Sequence, residues 1–88
     1  MAYLISYDLR YPGRDYTRLT AEIGALGTCV KPLESVWIVD STLDVQTIIA
    51  RLNAVDMTDS LLVIRVNNPW WSIGLDQRIV TWMQQIVN

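Results

Sequence analysis

The sequence predicts a small α+β domain built in the order β-α-β-β-α-β, followed by one more helix. Three observations predict it. Short β-rich runs alternate with stretches whose apolar residues recur every three or four positions. Turn and cap residues fall between these segments at spacings that leave each one only a few residues to a dozen long. The chain has 88 residues, of which 51% are hydrophobic, so it is one domain carrying more apolar material than so small a core readily hides.

Residues 2–9 read as the first strand. Tyr3, Ile5 and Tyr7 share one face, and Leu4, Ser6 and Asp8 share the other. Apolar residues on both faces predict a central strand. Tyr11-Pro12-Gly13 then signals a turn. Asp15 is a candidate N-cap for a helix whose stripe is Tyr16, Leu19, Ile23 and Leu26, and Gly27 is expected to end it in a left-handed conformation. Residues 28–33 form a short extended piece, marked as an edge or bulged strand by Pro32. Glu34 and Ser35 allow a reversal into the strand 36–39, which is β-branched and aromatic.

A second helix is predicted to start at Asp44. Leu43 can staple onto Ile48, and Val45, Ile48, Ile49, Leu52 and Val55 make the expected buried face. After a polar connection, residues 61–66 read as a fourth strand, so apolar that an interior position is expected. The order is that of a split βαβ, ferredoxin-like domain: a four-stranded antiparallel sheet over residues 1–68 with two helices on one face. Residues 69–88 add a Trp-containing linker and an amphipathic helix, capped by Asp76 with Leu75 able to staple onto Val80. Its apolar face is Ile79, Val80, Trp82, Met83, Ile86 and Val87. The second sheet face needs a cover, either this tail or a second subunit. The apolar excess predicts a homodimer.

Composition narrows the chemistry. There is no His, and there is one Cys, Cys29. Ser-His-Asp and Cys-His catalysis are excluded, as are zinc sites built on His or on several thiolates. A lone Cys allows no disulfide within the chain and suits a reducing, cytoplasmic setting. No signal peptide is recognisable, and no apolar run reaches membrane-spanning length, so no membrane partner is expected. The net charge is −2, which leaves any nucleic-acid contact to a local cluster of cations.

Asp8 is the first candidate for chemistry, because it closes a central strand where a loop begins. Two Asp8 carboxylates brought together by a two-fold axis could hold a hydrated Mg²⁺ or Mn²⁺, and such an ion can activate water without any His. The alternative is that Asp8 caps the turn or pairs with Arg10 or Arg14. Arg10, Arg14, Arg18 and Lys31 are four of the seven cations and a candidate phosphate-facing patch; ordinary solvated charge explains them equally well. Trp37, Trp70, Trp71 and Trp82 are candidate interface anchors. Base stacking by Trp70 and Trp71 is the other reading of that pair.

Tyr7-Asp8-Leu9 at the end of the first strand, and Ser35-Val36-Trp37 at the start of the third, resemble the corresponding motifs of the CRISPR-associated protein 2 family. The likeness spans roughly residues 2–66 and extends to virulence-associated protein D toxins, which are similar in fold. It implies a homodimer with facing sheets, Asp8 as the metal-linked carboxylate, and metal-dependent endonuclease cleavage of RNA or DNA. In other members of the family the protein is a structural subunit that clamps DNA; the Trp70-Trp71 pair and the apolar C-terminal helix give the alternative of a non-catalytic dimeric binding module for a protein or nucleic-acid partner. Three features depart from the family pattern: Ile38 stands where an acidic residue is usual, the chain is acidic, and the tail is a Trp-containing helix rather than a fifth strand.

Overall fold

The computed structural model of the protein describes residues 1–8, 16–55 and 60–88. The elements run β1 (Ala2–Tyr7), α1 (Thr17–Ala25), β2 (Thr28–Leu33), β3 (Val36–Asp40), α2 (Val45–Val55), β4 (Leu61–Arg65) and α3 (Gln77–Ile86). The four strands form one sheet in the order β2-β3-β1-β4, and every neighbouring pair is antiparallel.

The period-two pattern of β1 fixes which residues share a face. Tyr3 lies opposite Val39 and Arg65, Ile5 opposite Trp37 and Val63, and Tyr7 opposite Leu61. This first face carries α1 and α2. Their stripes, Leu19, Ile23 and Leu26 from one and Ile48 and Leu52 from the other, close on Tyr3, Ile5, Tyr7 and Val39 to form the larger core. Ile5, Ile23, Ile48, Leu52 and Val39 are its fully buried side chains. Burying a side chain of this size stabilises by about 1.5–3 kcal/mol. The Tyr3 hydroxyl, carried into this core, donates to the Leu43 carbonyl at 2.7 Å, so its polar end is not stranded.

The second face holds Ala2, Leu4 and Ser6, with Val36, Ile38, Leu62 and Ile64 beside them. Helix α3 packs here, on the sheet of its own chain. Met83 and Val87 are buried against Ala2 and Ile38, and Trp70, Ile79, Trp82 and Ile86 pack around them. The tail therefore completes an α–β–α sandwich.

Local chemistry explains the boundaries. Asp44 accepts from the Thr47 amide at 2.7 Å and so starts α2; Asp76 accepts from the Arg78 amide at 2.8 Å and starts α3. Both carboxyls are held below the usual carboxylate range, Asp44 by its bonds from Thr47 and Asp76 chiefly by the hydrogen bonds from Arg78. The positive φ of Ser35 (58°) supplies the reversal between β2 and β3, and a register shift between Val30 and Leu33 accommodates Pro32 in an edge strand.

Four expectations need correction. Strand β4 is not interior but an edge strand; its continuous apolarity comes from facing the core on one side with Leu61 and Val63 while turning Leu62 and Ile64 to the second face. Ile49 is exposed, because it lies about 100° round the helix from Ile48 and off the stripe that meets the sheet. Gly27 does not form a left-handed cap: its φ is 159°, and it is needed because a Cβ there would overlap the Asp40 carbonyl. Helix α1 begins at Thr17, after Tyr16 at the cap position, which makes no side-chain capping bond. The predicted cap Asp15 and the turn 11–13 lie outside the described residues.

Candidate functional site

Asp8 is placed by the ladder that flanks it. Its amide donates to the Ser60 carbonyl at 3.1 Å, just before β4, and the preceding Tyr7 amide donates to the Ser35 carbonyl at 3.2 Å. The backbone is therefore held on both sides one residue past the end of β1. Alternation continues from Ala2, Leu4 and Ser6, so Asp8 belongs to the second face of the sheet, where its side chain is exposed. A shallow depression of about 280 Å³ surrounds it, lined by Ser6, Tyr7, Asp8, Ser60, Leu61 and Leu62.

Among the described residues no ion pair or side-chain hydrogen bond engages Asp8, and no group of three or more His, Cys, Asp or Glu comes together. One chain thus offers one carboxylate and the Ser6 hydroxyl. Mg²⁺ keeps several waters and binds proteins through one or two carboxylates, so a single Asp8 is a thin ligand set and a pair of them is a fitting one. Asp8 is the residue that would hold such an ion.

The other predicted site residues are dispersed. Arg10 and Arg14 lie outside the described residues. Arg18 is exposed on the first turn of α1, and Lys31 stands over the Trp37 ring at 5.8 Å on β2. Strand β2 is separated from β1 by β3, so Lys31 is about two strand spacings, roughly 10 Å, from the strand that carries Asp8. Neither cation lines the Asp8 depression. Cys29 is half-buried, and desolvation pushes its thiol up, away from the reactive thiolate.

The four Trp divide by role. Trp37 lies on the first face, packs against the larger core and donates to the Tyr7 hydroxyl at 3.5 Å. Trp70 and Trp82 pack in the smaller core of the second face. Trp71 is 90% exposed, and Ile73, two residues on, is 93% exposed.

Helix α3 covers only part of the second face. Leu62 (54% exposed), Ile64 (49%) and Leu33 (58%) are left in water at the end nearer Asp8, with Val36 half-buried between them. The sequence missed this strip. The signal was present, since Leu61-Leu62-Val63-Ile64 supplies apolar residues to both faces of one strand, but the strand reads equally well as an interior one.

Comparison of the chain with protein-family models, with curated proteins and with solved structures finds no match in any of the three.

Proposed function

We propose that this protein is a homodimer, paired through the uncovered strip of the second sheet face, that cleaves RNA or DNA phosphodiesters with a divalent metal held by two Asp8 carboxylates. The observation that carries this reading is the position of Asp8: an exposed carboxylate at the end of β1, beside Ser6 and Leu62, where the apolar strip begins. A strip of Leu33, Val36, Leu62 and Ile64 is the kind of patch that a second subunit covers. A two-fold axis near its Ser6 end would supply the second carboxylate that one chain lacks. The strand order read from the β4 edge, β4-β1-β3-β2, with α1 and α2 on one face, supports the ferredoxin-like assignment on which the dimer rests.

The protein's own contribution is to fix the carboxylate. The Asp8 main chain is tied to Ser60, its side chain stands clear of any cation among the described residues, and Ser6 adds a neutral hydroxyl next to it. A bound Mg²⁺ or Mn²⁺ would lower the pKa of a water and offset charge at the phosphate. The test is a metal titration of nuclease activity on single-stranded RNA and on DNA. Asp8→Asn should abolish cleavage and leave the dimer intact. Leu62→Glu should give a monomer and lose cleavage as well. Activity unchanged in Asp8→Asn, or only a 10.1 kDa species by light scattering of the unaltered protein, overturns the proposal.

A second reading is a non-catalytic dimeric module that binds a nucleic acid or a protein. Trp71 and Ile73, held in water beside a structured helix, favour it. On that reading, binding survives Asp8→Asn and is lost in Trp71→Ala.

A further inference from the structure

A cavity beside α3 includes Trp71, the residue on which the second reading rests, and it gives that reading a ligand. It lies between the segment after β4 and α3 as an open cleft of about 500 Å³, lined by Asn68, Trp70, Trp71, Ser72, Gln77 and Gln84, with small and apolar residues completing the wall. That volume is within the range of small-molecule sites.

Its chemistry is distinctive in what it offers. No lining side chain is ionisable. Asp76 and Arg78, which flank the lining residue Gln77 in sequence, pair with each other at 3.2 Å. A ligand held here is therefore recognised without its charge, and a phosphate finds no cation. Trp71 presents an indole to this cavity while 90% exposed. Beside that flat apolar plate stand three primary amides. The Asn68 amide group donates to the Val87 carbonyl, and that of Gln77 donates to the Thr81 hydroxyl. Gln84, on the exposed side of α3, makes no side-chain hydrogen bond among the described residues and so keeps both its carbonyl and its amino group for a ligand.

An aromatic plate with a free primary amide recognises a flat molecule with a polar edge. A carboxamide pairs in two-pronged fashion with N6 and N7 of adenine; guanine is matched by Arg or Lys and cytosine by Asp or Glu, and none of these lines the cavity. We infer that this cavity is a binding site for an uncharged adenine base, stacked on Trp71 and read at its edge by Gln84. The base could belong to a free nucleoside or to an unpaired nucleic-acid strand. The inference stands apart from metal-dependent cleavage, since a catalytically silent protein with this cavity would bind the same base.

The experiment is a titration of the full chain, followed by the Trp indole and Gln side-chain resonances in nitrogen–proton correlation spectra. The probes are adenosine, AMP, uridine, glucose and a six-nucleotide oligoadenylate RNA. Adenosine should move the Trp71 indole and Gln84 amide signals, and Trp71→Ala should weaken its binding about tenfold or more, the usual loss when one stacking aromatic is removed. Trp71 is exposed, so the variant retains its fold, as its far-ultraviolet circular dichroism will show. Gln84→Leu should remove the preference for adenosine over uridine while leaving stacking. AMP should bind no more tightly than adenosine, because the lining is neutral. Oligoadenylate binding more than tenfold tighter than adenosine identifies a strand as the source; equal affinities identify the free nucleoside. Shifts with glucose and none with adenosine, tighter binding of AMP than of adenosine, or adenosine affinity unchanged in Trp71→Ala would each overturn the assignment.

Discussion

The two faces of the sheet are closed in different ways. On the first, two helices close on Tyr3, Ile5, Tyr7 and Val39, and five large side chains are fully buried. On the second, a single helix buries Met83 and Val87 against Ala2 and Ile38 and stops short of the end of the sheet. One face is an interior that happens to be a sheet surface. The other is a partly covered surface, and on its side lie Asp8, the Leu62–Ile64 strip and the cavity beside Trp71, whereas the cations Arg18 and Lys31 belong to the first. The densest packing and the proposed sites thus lie on opposite sides of a layer one strand thick. That separation is useful to a small protein, because a side chain exposed for binding on one face does not weaken packing on the other.

The comparison predicts unequal costs for equal truncations. Ile5→Ala removes a fully buried side chain at the centre of the first face and should cost about 3–5 kcal/mol. Met83→Ala, at the centre of the second, should cost less, about 2–3 kcal/mol, because its surroundings can collapse toward solvent. Urea denaturation of both variants measures the difference, and equal losses would mean that α3 is as firmly part of the core as α1 and α2. Native-state hydrogen exchange should show the same order, with α3 amides exchanging before those of β1.

A smaller effect is expected at the joint between the layers. Gly27→Ala would press a methyl group from the link between α1 and β2 into the Asp40 carbonyl at the end of β3 and should cost about 1–3 kcal/mol, read as a lowered midpoint in urea. Because the clash is with backbone rather than with a flexible side chain, no rotamer change relieves it.

The smallest effect distinguishes the faces by pH. Asp44 caps α2 on the first face and Asp76 caps α3 on the second, and both are held below the ordinary carboxylate range when folded. A carboxyl depressed by folding contributes stability above its unfolded pKa, near 4, and that contribution is lost as pH falls through the folded value. Acidification from about pH 5 downward should therefore loosen both helix starts. Helix α3, with the thinner packing, should fray first, seen as exchange of its first-turn amides. Asp76→Asn keeps a capping oxygen and should remove the pH dependence of that fraying.

Much of this architecture was legible in the sequence where one residue has one job. Tyr3, Ile5 and Tyr7 alternate, and they do face α1 and α2. Asp44 and Asp76 sit at capping positions and do cap. What escaped was whatever depends on how far a neighbour reaches. Leu62 and Ile64 look like core residues, yet α3 packs around Ala2 and Ile38 and leaves them exposed. Gly27 looks like a helix terminator, whereas its requirement comes from Asp40, thirteen positions away. Of the site, the face on which Asp8 lies at the strand end was readable from the alternation of β1, but its exposure was not, since Leu4 on the same face is half-buried. The cavity beside Trp71 was not, since it joins Asn68 to Gln84 through the fold of the intervening segment.

The register of β1 gives Asp8 a parity. It lies an even number of residues from Leu4 and Ser6, and that parity alone assigns it to the face with room for a ligand. Inserting or deleting one residue within β1 while the ladder with β3 and β4 reforms would turn Asp8 toward α1 and α2 and bring a tyrosine position out to take its place. A carboxylate there would meet the larger core rather than water. Length changes in this strand should therefore come in pairs, however tolerant the loops around it are.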